Sequence, residues 1–83
     1  MTVARLRLFA QAREAAGRAS DEFDAATLGE LLDAARARYG PGFAAVLDRA
    51  RVWVNGDDAI AGDATILHDR DEVAVLPPVS GGA

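Results

Sequence analysis

The sequence predicts an α+β fold in which one main helix packs across a mixed sheet, and three stretches carry that expectation. Ala4, Leu6 and Leu8 alternate with Arg5 and Arg7, the period-two pattern of a strand with one buried face. Leu28, Leu31, Leu32, Ala35 and Tyr39 recur at i, i+3, i+4, i+7 and i+11, forming a single helical stripe. Glu72 to Leu76 alternates again, with Val73 and Val75 set against Glu72, Ala74 and Leu76, and Pro77-Pro78 ends the run because neither proline can donate to a ladder.

The intervening elements follow in order. Phe9 to Ala16 favours a short helix, with Gly17 placed for a left-handed cap. Ala19 to Asp24 reads as a weak strand whose only large apolar residue is Phe23. Thr27-Leu28-Gly29-Glu30 fits a capping box opening the main helix, and Gly40-Pro41 closes it. Phe43, Val46 and Leu47 suggest a further helical turn over a small apolar cluster. Arg51 to Val54 is a β-branched and aromatic strand, Asn55-Gly56 a turn, and Ala59-Ile60 the expected return. The 83 residues form one domain with a modest core and no internal repeat.

Composition excludes several functions. Nine basic against thirteen acidic residues give a net charge of −4, opposite to a nucleic-acid footprint. All nine are arginines, so lysine Schiff bases and isopeptide chains built on the protein's own lysines are ruled out. Without cysteine there are no disulfides, thiolate nucleophiles or thiolate metal sites. No leader pattern or membrane-length apolar run is visible, which makes the cytoplasm the expected location and a membrane partner unexpected. His68 is the only histidine, and neither Ser20 nor Ser80 lies in a nucleophile elbow, so a catalytic triad is not expected. Asp57, Asp58, Asp63, Asp69, Asp71 and Glu72 lack calcium-loop spacing and read as solvated turn carboxylates. No metal site or bound cofactor is expected.

What remains is the C-terminus, residues 77–83. Two prolines stiffen the base of Pro77-Pro78-Val79-Ser80-Gly81-Gly82, and the two glycines leave its end without side chains and free to move. At about 3.3 Å per residue such a segment reaches roughly 20 Å. It suits a carboxyl group carried into a narrow channel of another protein.

Together, Phe9 to Gly17 after the first strand, Val54-Asn55 before a turn, Asp71-Glu72-Val73 opening the last strand and the Pro77 to Gly82 tail resemble the small subunits of molybdopterin synthase. These belong to the MoaD/ThiS group of ubiquitin-like sulfur carriers. The resemblance implies a β-grasp fold with the first and last strands as parallel neighbours. It implies that a separate enzyme adenylates Gly82 with ATP, that sulfur replaces AMP to give a thiocarboxylate, and that the large synthase subunit receives the tail. The sulfur then enters a pterin precursor of the molybdenum cofactor, and the carrier itself catalyses nothing.

Phe9 and Leu76 match contact positions of the family, which with Pro77, Pro78, Val79 and Ser80 gives an expected partner interface, Arg13 being a weaker contact. Ordinary packing against the tail or helix accounts for Phe9 and Leu76 equally well. Within the family, a carrier for the thiazole of thiamine is the alternative; outside it, an interaction-only ubiquitin-like modifier. Two departures stand out. Ala83 follows Gly82, whereas the family's chains end at the second glycine. If Ala83 is native, a protease must remove it; otherwise it is foreign to the chain or the chain is no working carrier. Asp69-Arg70-Asp71 replaces a turn where glycine is common, and because a left-handed arginine costs of order 1 kcal/mol, a different turn is expected.

Overall fold

A computed structural model describes residues 1–78. The chain runs β1 (Val3–Leu8), α1 (Ala10–Ala16), β2 (Ser20–Asp24), α2 (Leu28–Tyr39), α3 (Pro41–Leu47), β3 (Arg51–Val54), β4 (Asp57–Asp58), a 3-10 turn (Gly62–Ala64) and β5 (Glu72–Leu76). The five strands form one mixed sheet in the order β2-β1-β5-β3-β4. β1 and β5 are parallel at its centre, with Arg5 opposite Glu72 and Leu8 opposite Val75. This is the β-grasp, ubiquitin-like fold.

The alternating residues do what their spacing requires. Ala4, Leu6 and Leu8 of β1 and Val73 and Val75 of β5 point into the core, where they meet Leu28, Leu31, Leu32 and Ala35 of α2. Each fully buried leucine or valine contributes about 1.5–3 kcal/mol relative to exposure. Phe43 of α3 is buried in this same core and stands edge-on to Tyr39 at 5.1 Å, so the apolar cluster expected at this turn is continuous with the main core. Gly17 caps α1 at φ 77°.

The helix cap differs in one detail from a capping box. Thr27 Oγ1 accepts the Glu30 N–H at 3.2 Å as expected, but Glu30 Oε1 accepts the Ala26 N–H at 3.1 Å, one residue before the cap. At the other end of α2, Asp21 ties the edge strand β2 to the helix. Its Oδ2 accepts the Tyr39 hydroxyl at 2.6 Å and Nη1 of both Arg38 and Arg18 at 2.9 Å.

Three expectations need correction. The return strand is Asp57–Asp58 rather than Ala59-Ile60. Asn55 and Gly56 both take positive φ, 51° and 86°, the two-residue hairpin turn that starts the return immediately after Gly56. Ile60 is left 96% exposed. Arg70 does adopt the left-handed conformation, φ 72°, and two bonds hold it there: its N–H donates to Val3 O at 2.8 Å, and the Asp71 N–H donates to His68 O at 3.0 Å.

Of the acidic residues expected to be solvated, Asp57, Asp58, Asp63, Asp69 and Glu72 are exposed, Asp69 while accepting the Val3 N–H at 3.0 Å, but Asp71 is half-buried. Asp71 accepts the Asn55 side-chain amide at 3.0 Å and the His68 N–H at 2.8 Å. The Asn55 amide, followed by the His68 N–H, holds the Asp71 carboxyl below the usual carboxylate range.

Candidate functional site

The helices cover one face of the sheet, and the residues pointing the other way converge at the end where β5 leaves it. Phe9 follows β1 in phase with Arg5 and Arg7, on the face away from the core. It is extended, φ −123°, because it is the cap residue of α1, and its carbonyl accepts the Ala12 N–H at 3.0 Å. The ring is 38% exposed, with the Arg7 guanidinium 5.6 Å from its centroid.

Leu76 closes β5 one residue after Val75 and stands opposite Arg51. The alternation that buries Val73 and Val75 turns Ala74 and Leu76 outward, leaving both half-buried. Pro77 is half-buried and Pro78 exposed. The structure therefore brings Phe9, Leu76, Pro77 and Pro78 to one end of the uncovered face. Val79, Ser80, Gly81 and Gly82 lie outside the described residues. Arg13 is exposed on α1.

Reading the sequence missed four members of this face. Trp53 pairs with Ala74 and is 37% exposed. Arg51 stands beside Leu76, Arg7 beside Ala74, and Arg49 precedes β3. Together Arg49, Arg51, Trp53, Leu76, Pro77 and Pro78 line a groove of about 390 Å³. The signal was present in Arg51-Val52-Trp53-Val54: if Val52 and Val54 face the core, the tryptophan must face out.

The pairing of β3 with β5 is fixed at the opposite end of the strand from Leu76. Asn55 donates its backbone N–H to Glu72 O at 2.7 Å, accepts the Glu72 N–H on Oδ1 at 2.9 Å and donates its side-chain amide to Asp71. Two segments of the resembled pattern, Val54-Asn55 and Asp71-Glu72-Val73, thus clamp each other and set the register of β3 on β5. A second cleft on the same face, at its far end, is lined by charges of both signs, Arg5, Arg70, Glu22, Asp69 and Glu72, together with Val3.

His68 is exposed, its Nδ1 3.6 Å from Asp71 Oδ2, and Ser20 is exposed on β2. Among the described residues there is no group of three or more residues able to hold a metal ion, and no helix long and apolar enough to cross a membrane.

The ThiS family model matches residues 6–82. The chain is 38% identical to small archaeal modifier protein 3 of Haloferax volcanii, over 93% of this chain and 96% of that one. The crystal structure of SAMP1 from Haloferax volcanii aligns with a TM-score of 0.83 at 32% identity, covering 96% of this chain and 99% of that one. A chain from the complex of subunits 1 and 2 of the molybdopterin-converting factor of Helicobacter pylori aligns at 0.75 and 25% identity, covering 98% and 100%. With its parallel central strands and this match along almost its whole length, the chain belongs to the ThiS family: it is a ubiquitin-like carrier or modifier of the ThiS/MoaD type, and not itself a catalyst.

Proposed function

We propose that the protein is the sulfur-carrier small subunit of a molybdopterin synthase, with the Gly82 carboxyl as its working group. The observation that carries this reading is the apolar patch of Phe9, Trp53, Leu76 and Pro78 on an uncovered sheet face, directly where the chain continues toward Gly81-Gly82. A domain that must present its terminus to another protein's active centre needs a gripping surface at that terminus. The partnership of subunits in the Helicobacter pylori complex supports a large synthase subunit as the host.

In this reading a terminal carboxylate oxygen attacks the α-phosphorus of ATP on a separate adenylating enzyme, and pyrophosphate leaves. A sulfur donor then displaces AMP, leaving a thiocarboxylate. The large subunit accepts the sulfur into a pterin precursor, and water restores the carboxylate. The carrier's side chains bind and orient; none moves a proton in these steps.

A second reading has its own support. The 38% identity to small archaeal modifier protein 3 favours attachment of the same glycine to amines of other proteins. Having no lysine, the chain offers no side-chain amine as a site for a second copy.

One experiment addresses both. A form ending in Gly82 and one ending in Ala83 are incubated with the adenylating enzyme, ATP and a sulfur source and weighed by mass spectrometry. The carrier reading expects the Gly82 form to exchange one oxygen for sulfur and then to lose it to the large subunit. No thiocarboxylate on the Gly82 form refutes it. A stable thiocarboxylate that the large subunit never discharges, with Gly82 linked to lysines of cellular proteins, selects the modifier.

A further inference from the structure

The groove beside Trp53 carries a charge that the rest of the chain does not explain. The net charge is −4, and Arg5, Arg7, Arg18, Arg36 and Arg38 all have carboxylate partners. Arg13, Arg49, Arg51 and Arg70 have none among the described residues; Arg70 lines a cleft together with Glu22, Asp69 and Glu72, whereas Arg49 and Arg51 line the groove with no aspartate or glutamate beside them. Its apolar surface comes from Trp53, Leu76, Pro77 and Pro78. At about 390 Å³ it falls within the size range of protein ligand clefts.

Two uncompensated guanidinium groups beside an apolar floor are complementary to one kind of surface. We propose that the groove seats an acidic segment of the partner protein, with carboxylates on Arg49 and Arg51 and an apolar side chain between them against Trp53 and Leu76. The proposal rests on the carrier reading, because it names the chemistry of the partner that grips the root of the tail. Arginine suits the role: its planar fork binds carboxylates in bidentate fashion and is less strongly hydrated than an ammonium group. A nucleic acid fits poorly, since two arginines on an acidic protein neutralise little phosphate and a polyphosphate has no apolar group to meet the floor. The remaining candidate is the chain's own terminal carboxylate, five residues beyond Pro78.

Trp53 is the only tryptophan, so its fluorescence reports on the groove. The probes are a short synthetic peptide with aspartates and glutamates flanking a leucine, the same peptide with lysines in place of the acids, and a single-stranded RNA oligomer. The proposal expects a saturable Trp53 response to the acidic peptide only, abolished by R49E/R51E, retained by R49K/R51K and unchanged by Arg70→Glu at the far end of the face. No response, an equal response to both peptides, a response to RNA instead, or binding only after residues 79–83 are removed overturns it.

The same variants are then assayed as substrates of the adenylating enzyme. Rim charges act largely through the encounter rate, so R49E/R51E should lower kcat/KM about tenfold at low salt, with the gap closing as salt screens the charges. An unchanged kcat/KM overturns the proposal. If wild-type protein never acquires sulfur while the acidic peptide still binds, the carrier reading falls and the groove assignment stands.

Discussion

Asp21 is the polar residue on which the edge of the sheet depends, and replacing it by asparagine tests that dependence. Its side chain is 15% exposed and receives one phenol and two guanidinium donors on a single oxygen, while Oδ1 accepts the Glu22 N–H at 2.8 Å. Partial burial pushes its carboxyl upward. The hydrogen bonds from Tyr39, Arg38, Glu22 and Arg18 outweigh that and hold it well below the usual carboxylate range.

The 2.6 Å bond from Tyr39 to a charged acceptor is worth about 1.5 kcal/mol. Arg38 is half exposed and, after screening, adds about 0.5 kcal/mol. Asp21→Asn should therefore cost about 2 kcal/mol at pH 7, roughly 10 °C in Tm for a domain of this size. The pH dependence has a definite sign. The folded carboxyl binds its proton less readily than the unfolded one, so its contribution is complete above the unfolded pKa of about 4 and fades as pH falls below it. Urea or thermal denaturation from pH 7 down to about 2.5 should show the wild-type and Asp21→Asn curves converging only below about pH 4. A gap that is constant across that range, or absent at pH 7, refutes the reasoning.

The same cluster has an alkaline limb. Burial, followed by the bond to Asp21, pushes the Tyr39 phenol up to about 12, so its contribution is present below the ordinary tyrosine pKa near 10 and lost between there and 12; Tyr39→Phe should flatten wild-type stability loss in that window, read by thermal melts at pH 9 to 12. Asn55→Ala removes a side chain that donates to Asp71 and accepts from Glu72, and should cost about 2 kcal/mol by urea denaturation while slowing sulfur loading. Arg70→Gly relieves a left-handed arginine and should stabilise by up to about 1 kcal/mol, read as a higher urea midpoint. Leu6→Ala opens a cavity under the central strands and should cost about 3 kcal/mol, a large share of the total for so small a domain, leaving a visibly broadened or lowered melt.

Where the sequence was legible, one residue's environment followed from its neighbours. Strands β1 and β5 and helix α2 were readable because a single buried face imposes a single period. The end of β5 was readable because neither Pro77 nor Pro78 can donate to a ladder, while the reading of Gly81-Gly82 lies outside the described residues. The return strand was misplaced because apolar content suggested Ala59-Ile60, whereas the backbone of Asn55-Gly56 decides where a two-residue hairpin resumes. Arg70 was misjudged for a related reason: local strain argued against a left-handed residue, and bonds to β1, distant in sequence, outweighed it. Asp71 looked like a surface acid since its partners, Asn55 and the His68 N–H, converge only once β3 lies beside β5. The groove was missed because Arg49, Trp53 and Leu76 belong to it through sheet order, which alternation within one strand does not encode.

That sheet order also explains why a carrier without catalytic side chains needs a well-packed fold. β5 leads into the tail, and it is hydrogen-bonded on both sides, to β1 and to β3. Each neighbour delivers part of the outward face at the same level: Arg7 and Phe9 from the β1 side, Arg51 and Trp53 from β3. Had β5 been an edge strand, one of those contributions would be missing, and the root of the tail would hang on a single ladder. Placing the terminal strand at the centre fixes the direction in which the chain leaves the sheet relative to the surface a partner grips. The clamp at Asn55 sits at the opposite end of β5 from Leu76 but fixes the register along the whole pairing, so perturbing it should weaken delivery of Gly82 even where Phe9, Trp53 and Leu76 are untouched. Loading that proceeds at the wild-type rate in Asn55→Ala, with stability reduced by about 2 kcal/mol, would show that the register of β5 on β3 is not needed for the tail to be used.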